Sequence, residues 1–277
     1  MIDSVFNSQN NLLDLVPQVL RARGWRLYTK TERLVDLWQF GGRAILGHKS
    51  PGLLRSFKNT AERGLLVPLP HFTQDRFYKA LSALLPQRSF RLYESEASLY
   101  RSIELHQALS STVQQSCTVQ QSCTSVKLQL WRPFLDKDSL AALLAEPVLS
   151  PVLPCPFPGA PAVLALLPEE VTIAEKLPPS QMLSPVVLST AARSIYDLLA
   201  NPERGNLHYP KLDSAVKKNS NWKRQGIYLS YTGENYDALF RHFLENGFLL
   251  PPSQAEPLIL PGELSPGEEA KLAGLLL

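Results

Sequence analysis

The histidines, cysteines and paired acidic residues are the side chains that could carry chemistry in this sequence. The five histidines are dispersed, and no two stand four residues apart as a helical metal site requires. The three cysteines form no C-x-x-C pair, so they predict neither a thiolate zinc site nor a disulfide framework. We assign Asp138 to a helix cap and the Glu169–Glu170 pair to loop charge rather than to acid–base catalysis. These residues alone indicate no mechanism and no metal.

A cluster of basic residues around Trp222 has the pattern of a nucleic-acid-binding loop. The flanking residues are Lys217, Lys218, Lys223 and Arg224. Such a patch can bind a phosphate backbone while the aromatic ring stacks on a base. The whole chain, however, has 28 Lys and Arg against 25 Asp and Glu, a net charge of +3. We therefore interpret the patch as a solvated loop and predict no nucleic-acid partner.

The composition predicts a folded protein with a substantial core. Of the 277 residues, 44% are apolar and only 19% are charged. Motifs of phosphate loops and of nucleophile elbows are absent from the sequence. No apolar run approaches the ~18 residues of a membrane span, and residues 1–7 lack the pattern of a secretion signal. We expect a cytoplasmic protein without membrane contact.

Hydrophobic periodicity places helices and strands alternately along much of the chain, which is typical of α/β proteins. The predicted helices cover residues 11–23, 50–64, 73–86, 95–109 and 139–146, and three more begin at 184, 236 and 265. The predicted strands cover residues 25–28, 33–38, 89–93, 126–131, 162–167, 226–231 and 248–250. Residues 265–268 form a capping box.

Three of these elements have a predicted buried face. In the helix that begins at residue 184, the core face is expected to consist of Leu188, Ala191, Ile195 and Leu198. In the helix after Ser50, the inward face is expected to consist of Leu53, Leu54, Phe57 and Ala61. In the strand 126–131, the inward residues are expected to be Val126, Leu128 and Leu130, with Trp131 pointing outward.

A hexapeptide, Thr-Val-Gln-Gln-Ser-Cys, occurs twice in tandem at residues 112–117 and 118–123. Solenoid proteins need three or more repeats of roughly 20 to 50 residues. We therefore interpret the repeat as a duplication in a surface loop.

Two segments of the chain resemble the class-III aminotransferases, a family that includes glutamate-1-semialdehyde aminomutase. Residues 24–54 contain Gly-Trp-Arg-Leu-Tyr, Leu-Val-Asp-Leu and Ile-Leu-Gly-His-Lys-Ser-Pro. The Leu-Gly-His-x-x-Pro element is the most distinctive of them. Residues 239–275 are similar to the family's C-terminal part, where a helix, a glycine and a strand lead to a Pro-Ser turn. The resemblance extends through residues 64–110 and 180–199.

The resemblance implies an α/β fold, that of the fold-type-I pyridoxal-phosphate (PLP) transferases. Residues 1–45 and 200–277 would form a small α+β domain from both termini, and residues 46–199 a reduced, truncated large sheet domain. The chain is shorter than a family member, and the missing part falls in the middle. The resemblance further implies a homodimer, or association with a related aminotransferase subunit.

The phosphate-binding turn departs from the family pattern. The family's turn is Ser-Gly-Ser/Thr-Glu-Ala, and residues 93–97 here are Tyr-Glu-Ser-Glu-Ala. Glu94 therefore adds a carboxylate and a Cβ where a phosphate dianion approaches the backbone. This substitution should repel the cofactor.

This chain also departs from the family pattern at the other positions that hold PLP in the family. No acidic residue ends an apolar strand between residues 126 and 180, although the family's partner of the pyridinium nitrogen does so. Lys176 is the nearest candidate for the Schiff-base lysine, but it lies closer to the following helix than the family's lysine. Ser180 retains the hydroxyl of a family threonine that contacts the partner's phosphate.

These departures predict a degenerate, catalytically inactive relative that carries no cofactor and acts by binding or dimerisation. The alternative is an active PLP-dependent aminotransferase or aminomutase with a non-standard site. The residues of that site would be Lys176 for the Schiff base, Ser95 and Ser180 for the phosphate, and Asp136 for the pyridinium nitrogen. A third hypothesis is a PLP-free small-molecule binder that uses Glu94 and Arg101.

Overall fold

A computed structural model describes residues 12–114, 128–157, 159–168 and 177–277. The chain divides into two compact units. The terminal unit contains the described residues up to 50, residues 133–137 and residues 201–277; the central unit contains the described residues between 51 and 132 and between 138 and 200. Most of the duplicated hexapeptide lies outside the described residues.

The regular structure of the described residues includes eleven short strands, eight α-helices and two 3-10 turns at Gln39–Gly42 and Pro202–Gly205. The strands are β1 (Arg21–Arg23), β2 (Arg26–Tyr28), β3 (Arg33–Asp36), β4 (Ser89–Tyr93), β5 (Gln129–Trp131), β6 (Val148–Pro151), β7 (Ala162–Leu166), β8 (Trp222–Gln225), β9 (Tyr228–Tyr231), β10 (Phe248–Leu249) and β11 (Leu258–Ile259). The helices are α1 (Pro51–Ala61), α2 (Thr73–Leu84), α3 (Glu96–Gln114), α4 (Lys137–Leu144), α5 (Pro185–Leu199), α6 (Pro210–Lys218), α7 (Tyr236–Glu245) and α8 (Pro266–Leu275).

Two sheets form the terminal unit. One has the strand order β1-β2-β3-β10 and the other has the order β11-β9-β8. Strand β10 pairs in parallel with β3, so that Phe248 lies opposite Val35. The N-terminal and C-terminal parts of the chain are therefore hydrogen-bonded within one sheet.

A four-stranded sheet in the order β4-β7-β6-β5 lies at the centre of the central unit. All five residues of β7 are buried. Val163 belongs to a hydrophobic cluster with Phe77 of α2 and Ile195 of α5. Leu164 belongs to a second cluster, with Leu99 of α3. Helices thus pack against both faces of β7, which explains why this strand is apolar throughout.

Several predicted elements are confirmed. The predicted strand over residues 89–93 coincides with β4. The capping box at the start of α8 has both of its reciprocal hydrogen bonds between Ser265 and Glu268. The predicted core face of α5 is buried at all four positions, Leu188, Ala191, Ile195 and Leu198.

The predicted helix over residues 11–23 is wrong beyond residue 13. Residues 21–23 form β1, which pairs with β2 in an antiparallel hairpin. Gly24 has a φ of +55° and lies in the turn between these two strands. A glycine with positive φ ends helices and also forms tight hairpin turns, so its presence does not distinguish the two.

The buried face of α1 differs from the predicted one. Leu53 is buried, but Leu54 and Phe57 are 41% and 45% exposed. Thr60 is buried instead, and its hydroxyl lies 2.9 Å from the Ser189 hydroxyl of α5. An apolar-stripe rule does not detect a helix face that packs through hydroxyl groups.

Strand β5 presents the opposite face from the one predicted. Leu130 is 41% exposed, whereas Trp131 is buried with Leu149 and Ala165. Burying the larger indole removes more apolar surface from water, which favours this orientation. Val126 lies outside the described residues.

The basic segment around Trp222 is not one loop: Lys217 and Lys218 end α6, and Trp222, Lys223 and Arg224 belong to β8. Trp222 is buried in β8, and its ring centroid lies 4.8 Å from that of Tyr231 and 6.2 Å from that of Phe243. This indole is therefore a core residue and is not available to stack on a nucleic-acid base.

Glu268 connects α8 to the sheet of the terminal unit. Its carboxylate accepts hydrogen bonds from Arg26 at 2.7 Å, from Arg33 at 3.1 Å and from the Ser265 backbone at 2.8 Å. Burial raises the pKa of Glu268, but the hydrogen bonds from Arg26 and Ser265 outweigh that effect and lower the pKa to about 2.

This pKa predicts an acid-sensitive contribution to stability. Because the folded-state pKa lies below the ordinary value of 4.5, the ionised carboxylate stabilises the fold above that pH, and the contribution is lost as the pH falls toward 2. We expect Glu268→Gln to lower the melting temperature at pH 7, with a difference that shrinks progressively toward pH 2.

The matched control is Glu245→Gln, since Glu245 is exposed at the end of α7. Its melting temperature should stay close to that of the unmodified protein over the same pH range. A Glu268→Gln difference that does not change with pH would contradict the assignment.

Candidate functional site

The turn between β4 and α3 is the segment that the sequence aligns with a phosphate-binding turn. Ser95 directly precedes α3, and its hydroxyl oxygen accepts a hydrogen bond from the Ser98 backbone N–H at 3.1 Å. The Ser95 carbonyl accepts from the Leu99 N–H at 3.0 Å. Ser95 therefore acts as the N-cap of α3, and its side chain satisfies one of the free N–H groups at the helix start.

The side chain of Gln181 occupies this turn. Its amide oxygen accepts a hydrogen bond from the Glu94 backbone N–H at 2.7 Å and lies 3.1 Å from the Ser98 hydroxyl. Its amide nitrogen donates to the same hydroxyl at 2.8 Å. The N–H group of Glu94 that would face a bound anion thus already has an acceptor within the protein.

The same segment covers the outer edge of β4. The Leu92 N–H donates to the Ser180 hydroxyl at 3.1 Å, and the Gln181 N–H donates to the Leu92 carbonyl at 2.9 Å. The Tyr78 hydroxyl lies 3.3 Å from the Ser180 hydroxyl. Because β4 is an edge strand of its sheet, these contacts satisfy backbone groups that would otherwise be open to another strand.

Two carboxylates flank Ser95 in the sequence. Glu94 and Glu96 are both exposed, and Glu96 is in the first turn of α3. Negative charge in this position stabilises a helix through its dipole. The same charge opposes a phosphate dianion, which would have to approach these carboxylates.

The described residues of this turn do not fit the phosphate group of PLP. A phosphate needs free backbone N–H groups at a helix start and no competing negative charge. Here Gln181 accepts from the Glu94 N–H, Ser95 accepts from the Ser98 N–H, and Glu94 and Glu96 add negative charge.

The structure brings two of the four predicted site residues together. Ser95 and Ser180 both lie at this turn, and each hydroxyl accepts a backbone N–H. Asp136 belongs to the terminal unit and directly precedes α4. Lys176 lies outside the described residues. Arg101, named in the third hypothesis, is exposed on α3.

Sequence reasoning missed Gln181. It lies next to Ser180, in the segment aligned with a family element that contains Gly and Asn, and no motif marks a glutamine there. The only signal is chemical, since a long amide side chain can accept and donate hydrogen bonds at once.

The described residues offer neither a metal site nor a membrane-spanning helix. Among the described residues, no group of three or more His, Cys, Asp or Glu is arranged to hold a metal ion. Within the same part of the chain, every helix is too short or too polar to cross a lipid bilayer.

Solved structures with a similar backbone are aminotransferases. Ornithine δ-aminotransferase of Plasmodium falciparum superposes with a TM-score of 0.67 at 12% identity, covering 98% of this chain and 96% of that chain. Acetylornithine aminotransferase of Elizabethkingia anophelis gives 0.62 at 12% identity, covering 94% and 92%. A transaminase with PLP bound gives 0.65 at 12% identity, covering 100% and 96%. The chain therefore has the fold of the PLP-dependent aminotransferases.

Two curated sequences that are similar to this chain are uncharacterized proteins. An uncharacterized protein of Treponema pallidum (strain Nichols) is 25% identical over 292 aligned residues, which cover 88% of this chain and 89% of that protein. An uncharacterized protein of Borreliella burgdorferi is 42% identical over 67 residues, or 24% of this chain and 25% of that protein. No protein-family model matches the chain.

Removing the Gln181 side chain should open the turn without unfolding the central unit. The variant Gln181→Ala loses the acceptor of the Glu94 N–H but keeps the backbone bond to Leu92. We expect a loss of about 1 to 3 kcal/mol in the free energy of unfolding, because the amide contacts with both Glu94 and Ser98 are lost. Hydrogen exchange should show faster exchange at the Glu94 amide and little change at the Leu92 amide.

The control for this variant is Met182→Ala, because the neighbouring Met182 side chain is 50% exposed. It should leave exchange at Glu94 unchanged. Equal protection of the Glu94 amide in Gln181→Ala and in the unmodified protein would show that the amide contact is not formed in solution.

Proposed function

We propose that this aminotransferase-fold protein is catalytically inactive in PLP chemistry and acts by binding, as a homodimer or with a related aminotransferase subunit. One observation carries the proposal. The Glu94 N–H, which lies in the aligned phosphate turn, donates at 2.7 Å to the amide oxygen of Gln181. The shortened centre expected from the sequence belongs to the same proposal.

A phosphate could enter the turn only by displacing the Gln181 side chain. That displacement breaks the contacts of the amide with Glu94 and Ser98, at a cost of about 1 to 3 kcal/mol for two net hydrogen bonds. The incoming dianion would then meet the carboxylates of Glu94 and Glu96. An aminotransferase gains affinity from its phosphate turn, whereas this turn opposes binding.

The position of Asp136 is consistent with a structural role. It directly precedes Lys137, the first residue of α4, where an aspartate stabilises a helix as an N-cap; Asp138, predicted as the cap, lies inside the first turn. This role requires no cofactor. The proposal therefore accounts for Ser95, Ser180 and Asp136 through local structure, without assigning any of them to PLP.

The test is incubation of the full-length protein with PLP, followed by absorption spectroscopy and by borohydride reduction. We expect the spectrum of free PLP and no PLP-modified lysine peptide, while an active ornithine aminotransferase treated in parallel is labelled. One equivalent of PLP fixed on a single peptide would contradict the proposal. If that peptide contains Lys176, and Lys176→Ala abolishes the label, Lys176 forms the Schiff base, as an active PLP enzyme with a non-standard site would require.

A double variant distinguishes two reasons for a failure to bind PLP: a turn that is closed to phosphate, and the lack of a Schiff-base lysine. Glu94→Gly combined with Gln181→Gly removes both obstacles to phosphate, so this double variant should retain more PLP on dialysis than the unmodified protein. Met182→Ala again serves as the control and should retain no more than the unmodified protein.

The binding half of the proposal is tested by sedimentation velocity. A homodimer predicts a species of twice 30.9 kDa at micromolar concentration. A monomer at every concentration, with no change on addition of an aminotransferase encoded by the same organism, would contradict it.

A further inference from the structure

A cleft of about 250 Å³ in the central unit is lined by residues of α1, α2 and α5 and of the segments that adjoin them. It shares no residue with the β4–α3 turn. Four arginines line it, Arg55, Arg63, Arg76 and Arg193. The lining contains no carboxylate. We propose that this cleft binds a small phosphorylated molecule with a flat organic group.

The spacing of the arginines explains how they reach one cleft. Arg55 lies on α1, and Arg63 lies two residues after the last residue of that helix. Arg76 lies three residues after Thr73 on α2, another residue of the lining. Arg193 lies four residues after Ser189 on α5. Helices α1, α2 and α5, with the turn after α1, thus place positive charge at one cleft.

The charge of the cleft is not balanced within the described residues. Among them, Arg55, Arg63 and Arg76 make no ion pair with a carboxylate, while Arg193 pairs with Asp197 at 2.7 Å. Within this part of the chain, three guanidinium groups without a carboxylate partner therefore remain at one cleft. An anion that binds among them is attracted by all three.

The hydroxyl groups of the lining are already satisfied. The Ser189 hydroxyl lies 2.8 Å from the Ser56 hydroxyl and 2.9 Å from that of Thr60, and the Thr60 hydroxyl donates to the Ser56 carbonyl at 2.9 Å. These groups hold α1 against α5. The guanidinium groups of Arg55, Arg63 and Arg76 are therefore the charged donors open to a ligand, and their paired N–H groups match the oxygens of a phosphate.

Aromatic side chains on the same cleft indicate that the ligand is more than inorganic phosphate. Phe72 is 62% exposed, and its ring centroid lies 4.3 Å from that of His71. Both residues line the cleft. A flat group attached to the phosphate could cover the exposed ring and remove apolar surface from water.

The test is a calorimetric titration of the full-length protein with phenyl phosphate, with inorganic phosphate and phenol as partial probes. We expect saturable binding of one phenyl phosphate per chain, weaker binding of inorganic phosphate and none of phenol. Binding should weaken as salt is added, because the arginines are exposed and their field is screened. No saturable binding of phenyl phosphate at low salt would overturn the proposal.

Single variants identify the site. Arg55→Gln and Arg76→Gln should each weaken phenyl phosphate binding roughly tenfold, the effect of losing one charge-assisted hydrogen bond. The matched control is Arg241→Gln, since Arg241 is an exposed arginine on α7 of the terminal unit. Equal weakening in the control would overturn the proposal, because the anion would then respond to overall charge alone.

A labelling experiment on the unmodified protein does not depend on the folding of variants. Phenylglyoxal modifies accessible arginines, and phenyl phosphate should protect the four cleft arginines but not Arg241. Protection of none of the four would overturn the proposal. A second result would also overturn it. If Arg55→Glu changes the sedimentation coefficient and phenyl phosphate protects none of the four arginines, the cleft is a subunit contact and not a ligand site.

Discussion

The outer edge of β4 is the constraint on which the rest of the central unit depends. An edge strand exposes N–H and C=O groups that must be bonded to water, to another strand or to a covering segment. At Leu92 both groups are bonded to the protein itself, through the Ser180 hydroxyl and the Gln181 backbone. Since α5 begins only four residues later, at Pro185, this attachment also fixes where α5 enters the helical layer against α2.

The covering of the edge and the closing of the turn involve the same two residues. Once the backbone of Gln181 is bonded to Leu92, its side chain reaches the Glu94 N–H and the Ser98 hydroxyl. The chain has the fold of an aminotransferase, and we propose that this local feature opposes the binding of a PLP phosphate. Function depends on the site rather than on the fold, so a superposition over nearly the whole chain establishes the architecture and leaves the chemistry to be argued from this turn.

The sequence predicts those elements in which burial alone decides the pattern. Strand β7 is covered on both faces and is therefore apolar throughout, and α5 shows its core face at helical spacing. The sequence does not predict the buried face of an element where a polar contact or the size of a side chain decides which residues are buried. The inner face of α1 contains Thr60, which packs through its hydroxyl, and β5 turns Trp131 inward because the indole is larger than Leu130.

The candidate site was predicted only in part, for a related reason. Glu94 could be noticed because it replaces a glycine in a known turn. The contact of Gln181 with that turn joins residues 87 positions apart, and the cleft arginines are separated by up to 138 positions between Arg55 and Arg193. A local sequence pattern cannot predict contacts across such sequence separations, because tertiary packing alone brings these side chains together.

The central claim is that Gln181 closes the phosphate turn, and a crystal structure determined after incubation with excess PLP tests it most directly. The account predicts that the Gln181 amide oxygen remains hydrogen-bonded to the Glu94 N–H, and that no lysine carries PLP. A phosphate group bonded to the Glu94 N–H, with the Gln181 side chain turned away and PLP joined to a lysine, would contradict it.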